Sequence, residues 1–83
     1  MMNELSDQQI IDRLVDQVGA IIDDTRIEYD TGSVVILDLS DLEMNQVPTD
    51  VFRLRNLRIL NLNGNRLTAI SVVSSSFRGD RVY

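Results

Sequence analysis

Apolar residues recur along this chain with two different periods, and the change of period divides it. Ile10, Ile11, Leu14, Val15 and Val18 fall three or four residues apart, with Asp12, Arg13, Asp16 and Gln17 between them. That spacing predicts an amphipathic helix over residues 6–18 with one face to bury. Ser6 is a good N-cap, and Gln9 three residues later completes a capping box. Gly19 is suited to the left-handed conformation that ends a helix. Beyond it the period shortens: residues 25–29 and 33–39 read as strands. Asp30, Thr31 and Gly32 form a turn between them, which predicts a β-hairpin. Ile21 and Ile22 offer an alternative, in which the strand region starts further upstream.

From residue 34 onward the apolar positions repeat as a block. Val34, Leu37, Leu39, Met44, Val47 and Leu54 are echoed 23 residues later by Leu57, Leu60, Leu62, Leu67, Ile70 and Phe77. Self-similarity at a fixed period marks a stacked repeat, in which each unit needs a neighbour to cover its apolar face. Two units follow, at about 34–56 and 57–79. Asp80 would open a third that stops after four residues, so the C-terminal edge is expected to be exposed. Solenoids of this kind need an atypical cap, and the N-terminal helix is expected to cover the first unit.

The second unit runs Leu57-Arg58-Ile59-Leu60-Asn61-Leu62-Asn63-Gly64-Asn65-Arg66-Leu67. It resembles the core of the leucine-rich repeat, L-x-x-L-x-L-x-x-N-x-L. The stretch from Val47 through Pro48 to Phe52 is similar to the descending segment of that family, where the second unit has Ser71 in place of the proline. The resemblance implies that Asn65 bonds backbone groups of its turn and joins a ladder between units. Leu42 stands where the first unit should carry asparagine, so the ladder is expected to stop short of that unit. The implied fold is α+β. An N-terminal cap (1–32) precedes a truncated leucine-rich-repeat solenoid (33–79), and residues 80–83 form a tail.

Strand alternation within such units sends the leucines inward and the residues between them outward. The outward positions are Ile36, Asp38 and Ser40 in the first unit, and Ile59, Asn61 and Asn63 in the second. Parallel stacking would set Ile36 beside Ile59, Asp38 beside Asn61, and Ser40 beside Asn63. With Arg58, these are the candidate partner-binding residues. They imply a protein–protein interaction module that uses a concave strand face. The alternative is a fragment or subunit that completes its solenoid by self-association through the C-terminal edge. A regulatory subunit of an enzyme is a weaker third reading.

Composition narrows these options. Eighty-three residues make one small domain, and the absence of cysteine removes disulfides and thiolate metal sites. Histidine is absent too, and with it the commonest metal ligand and the usual general base. No phosphate-binding glycine motif occurs. Neither an enzyme nor a cofactor is expected. The start of the chain lacks the basic flank and apolar run of an export signal, and no apolar run approaches the length of a membrane span. A cytoplasmic protein with no membrane contact is the expectation. Arg78-Gly79-Asp80 looks like the tripeptide that integrins recognise, which we read as coincidence in a chain without an export signal.

Charge is divided by half. Residues 1–50 hold twelve acidic and two basic side chains, and residues 51–83 hold one acidic and six basic. All the basic residues are arginine, a side chain suited to planar pairing at interfaces. The division fits either internal complementarity or head-to-tail association of copies. Arg53, Arg55, Arg58 and Arg66 are the densest basic group, but the net charge of −5 argues against nucleic acid as a partner.

Overall fold

The computed structural model describes residues 5–20, 22–68, 77 and 79–83. They form a small α+β domain with one helix and a four-stranded mixed sheet. Helix α1 spans Asp7–Val18, and the strands are β1 (Ile27–Asp30), β2 (Ser33–Asp38), β3 (Ile59–Asn61) and β4 (Arg81–Val82). The sheet order follows the chain, β1-β2-β3-β4. The first pair is antiparallel, and the other two are parallel.

Helix α1 starts where its capping box requires. Ser6 Oγ accepts from the Gln9 backbone N–H, and Gln9 Oε1 accepts from the Ser6 N–H. Two N–H groups that the helix leaves without partners are thereby satisfied. The helix ends at Gly19, whose φ of 73° is accessible to glycine at little cost. Ile10, Ile11 and Leu14 are buried in one core with Val34, Leu37, Leu39, Val51, Leu54, Leu57, Leu60 and Leu62. The helix packs on a 3-10 turn at Thr49–Arg53, within the first of the two repeated segments.

A polar contact fixes that docking. Asp50 is 3% exposed, yet it is an acid. Its Oδ2 accepts from Arg13 Nε at 2.9 Å and from Gln17 Nε2, while its Oδ1 lies 2.8 Å from Arg53 Nε. The Arg13 bond holds the Asp50 carboxyl below its ordinary pKa, with Gln17 and the charge of Arg53 adding to it against the opposing effect of burial.

The hairpin forms as the turn residues predict, with shifted edges. Thr31 and Gly32 both take positive φ, 50° and 86°, which closes a two-residue connection that matches strand twist. Thr25 and Arg26, expected in the strand, sit instead in a 3-10 turn at Asp24–Arg26. The cause is local: Asp23 Oδ1 accepts from the Thr25 N–H and hydroxyl, and this side-chain bonding competes with strand pairing. Ile22 is buried but outside any strand, and Ile21 lies outside the described residues.

A register shift in this hairpin explains the apolar spacing. Glu28 pairs with Ile36, but Tyr29 pairs with Val34, so Val35 is the extra residue of a bulge. Without it, Val34 and Leu37 would face opposite sides of the sheet; with it, both are fully buried.

The sheet continues past the second unit, contrary to the expected four-residue tail. Arg81 and Val82 of β4 lie opposite Ile59 and Leu60, 22 residues on instead of 23. Gly79 lies just before β4. A Cβ there would overlap the Phe77 ring and come within 2.5 Å of Leu57 O, so the backbone enters β4 by a close approach that only glycine permits. Val82 and Tyr83 are exposed. Ile70 and Ser71 of the second unit, and Arg78 of the tripeptide, lie outside the described residues.

Asn65 corrects a second expectation. Its Nδ2 donates to Leu39 O at 2.8 Å and Leu62 O at 2.9 Å. Its Oδ1 accepts from the N–H groups of Leu42 and Met44, both at 3.0 Å. The ladder therefore does reach the first unit. Leu42 has no side-chain amide to contribute, but its backbone receives the bond while its side chain packs on the core. The turn so held contains Asp41 and Glu43 at φ of 56° and 57°, costly for residues with a Cβ.

Candidate protein-interaction surface

Parallel register brings the predicted strip together. Ile36 lies opposite Ile59 and Asp38 opposite Asn61. Both isoleucines are half-buried, whereas Leu37 and Leu60 between these rows are fully buried on the other face.

The polar members of the strip also serve the backbone. Asp38 Oδ1 accepts from the Ser40 N–H at 2.9 Å and from its hydroxyl at 2.6 Å. One repeat later, Asn61 Oδ1 accepts from the Asn63 N–H at 3.0 Å. Each pair is an Asx turn that closes its strand. Arg26 Nη1 donates to Ser40 O at 2.8 Å and lies 3.8 Å from Asp38 Oδ1. Burial pushes the Asp38 carboxyl up, but the two Ser40 bonds and the Arg26 charge outweigh it and hold the group below its ordinary value. Asp38 and Ser40 thus shape the surface as much as they offer chemistry to a partner.

Three residues missed in the sequence extend the strip. Glu28 of β1 lies opposite Ile36, and Arg81 of β4 lies opposite Ile59. One row therefore crosses all four strands: Glu28, Ile36, Ile59, Arg81. Tyr83 follows in the next row, because its N–H donates to Leu60 O at 2.9 Å and its carbonyl accepts from the Leu62 N–H at 2.8 Å, which sets it opposite Asn61. Arg81 Nη1 donates to the Tyr83 hydroxyl at 3.2 Å. Counting 23 residues from Ile59 lands on Val82, so the repeat period hides Arg81. The usable signal was the alternation Arg81-Val82-Tyr83, which places one aliphatic residue between two side chains that carry polar groups.

Arg58 is not brought to this row. Its Nε and Nη2 both lie 3.0 Å from Asp80 Oδ2, at the β3–β4 entry. It lines a shallow groove of about 480 Å³ with Asp30, Ser33 and Asn56, at the opposite end of the strands from Asp38. Of the other arginines, Arg53 pairs with Asp50, and Arg66 lies 3.9 Å from Glu43.

No group of three or more acidic side chains among the described residues is placed to hold a metal ion. Nor is any helix among them long and apolar enough to cross a membrane. No family model, curated protein or solved structure matches the chain.

Proposed function

We propose that this chain is a short leucine-rich-repeat arc that binds another protein through the outer face of its sheet, without catalysis. The observation that carries the reading is the adjacency of Ile36 and Ile59. They are neighbours in register and incompletely buried, and they sit between charged Glu28 and Arg81. An apolar centre with a polar rim is the arrangement by which interfaces exclude water at their anchors. The repeat assignment is supported by the 23-residue register of β2 and β3 and by the bonding of Asn65 to both units.

Affinity capture with the wild type and with the Ile36→Asp/Ile59→Asp double variant tests the reading. The double variant is expected to lose the captured partner and keep its circular dichroism spectrum. If it unfolds, Ile36→Ser/Ile59→Ser takes its place. Equal recovery of the same partner by wild type and a folded variant would remove this face from consideration. A second reading, association through the β4 edge, draws on Val82 and Tyr83, which are 36% and 49% exposed there.

A further inference from the structure

The row Glu28, Ile36, Ile59, Arg81 is antisymmetric in charge about its centre. Adjacent strands lie about 4.8 Å apart, so the acid and the arginine stand one and a half strand spacings to either side of the point between the isoleucines. Glu28 is exposed and makes no ion pair among the described residues. Arg81 is exposed, and its one bond to the Tyr83 hydroxyl leaves most of its donors available.

We propose that a second copy of this chain occupies this face, related by a two-fold axis that runs along the strands between β2 and β3. The proposal rests on the reading of the face as a binding surface and names its partner. Rotation about that axis sets Glu28 of each copy against Arg81 of the other, and Ile36 of each against Ile59 of the other. Every contact then occurs twice, as an isologous interface requires. Charge selects this axis over the other in-plane choice. A two-fold running across the strands would place Glu28 against Glu28 and Arg81 against Arg81, and like-charge contacts oppose association. The two sheets would pack face to face at about 10 Å, with four isoleucines between them.

Sedimentation velocity on the full chain, across the micromolar range at low and high salt, tests the inference. A species of twice the chain mass is expected, with no larger one, weakening as salt screens the two ion pairs. Glu28→Arg and Arg81→Glu should each raise the dimer dissociation constant about tenfold or more, because each juxtaposes like charges. The Glu28→Arg/Arg81→Glu double variant should recover most of the affinity, since the pair re-forms with reversed polarity. Glu28→Gln, which only deletes the attraction, should fall between wild type and Glu28→Arg. A wild type that is monomeric throughout overturns the proposal. So does a double variant as weak as either single one, or a series of species growing beyond the dimer, the signature of β4 edges pairing with β1 edges head to tail. A monomeric wild type whose captured partner is still lost on Ile36→Asp/Ile59→Asp would sink the self-pairing alone. A dimer unaffected by that change would mean association through another surface.

Discussion

Leu37, Leu60 and Val82 hold equivalent positions on three neighbouring parallel strands, yet the first two are fully buried and the third is 36% exposed. The three differ little in intrinsic strand preference. What separates them is what stands over them. Leu37 and Leu60 belong to one core cluster with Ile10, Ile11, Leu14 and Leu54, against which Phe52 and Phe77 also pack, and Val82 is not part of it. Position in a repeat specifies which way a side chain points, while its contribution to stability depends on the neighbours that cover it.

The sharpest way to break this comparison is to truncate the equivalent residues. Leu60→Ala should cost roughly 2–5 kcal/mol, the range for a buried leucine whose cavity cannot fully collapse. A domain of this size has on the order of 4–12 kcal/mol in total, so the variant should be partly or wholly unfolded. Val82→Ala should change stability by no more than about 0.5 kcal/mol, as surface changes do. Urea denaturation of both variants measures the contrast. Similar losses would mean that the β4 end is as well packed as the centre.

Asn65 sharpens the comparison from the polar side, because it ties the second unit to the first without adding apolar area. Asn65→Ala removes three donated and two accepted bonds to backbone groups of both units. A loss of about 2–4 kcal/mol is expected, since partly buried backbone groups would be left without partners. Amide exchange should accelerate most at Leu42 and Met44, whose N–H groups bond to Asn65 Oδ1. Uniform acceleration across the domain would assign Asn65 to global stability instead of to this turn.

Which of these features could be read from the sequence follows from how local their causes are. Helix α1 was legible because Ser6, Gln9 and Gly19 act within a few residues of the groups they satisfy. The register of Ile36 with Ile59 was legible because both units keep the same spacing. The bulge at Val35 was not visible, although it is the reason that apolar positions three apart share a face. The position of Arg81 beside Ile59 was hidden because the step from β3 to β4 is 22 residues, one short of the period that relates the two units. Asx bonding at Asp38 could have been anticipated from Ser40 two residues on. Reading both only as outward positions missed their bond to each other. Two of the partners of Asp50 gave no signal, because Arg13 and Gln17 lie 37 and 33 residues away, whereas Arg53 stands only three residues on.

Asp50 makes the docking of α1 on the Thr49–Arg53 turn sensitive to acid. Its carboxyl is depressed in the folded chain, chiefly by the Arg13 bond. The stability it contributes is therefore fully present above the ordinary aspartate pKa of about 3.9, and is lost as pH falls through the lower folded value. Asp50→Asn should cost about 1–2 kcal/mol at neutral pH, a figure limited by the half-exposed Arg13 and Arg53. Below about pH 4 the difference between wild type and variant should shrink, because protonation removes from the wild type what the substitution has already removed. Asp38, also held below its ordinary value, leaves a residual acid slope in both proteins. Urea denaturation at several pH values measures the effect. A difference between wild type and variant that stays constant down to pH 2 would show that Asp50 holds the helix through shape and neutral hydrogen bonds, and that its charge is incidental to the docking.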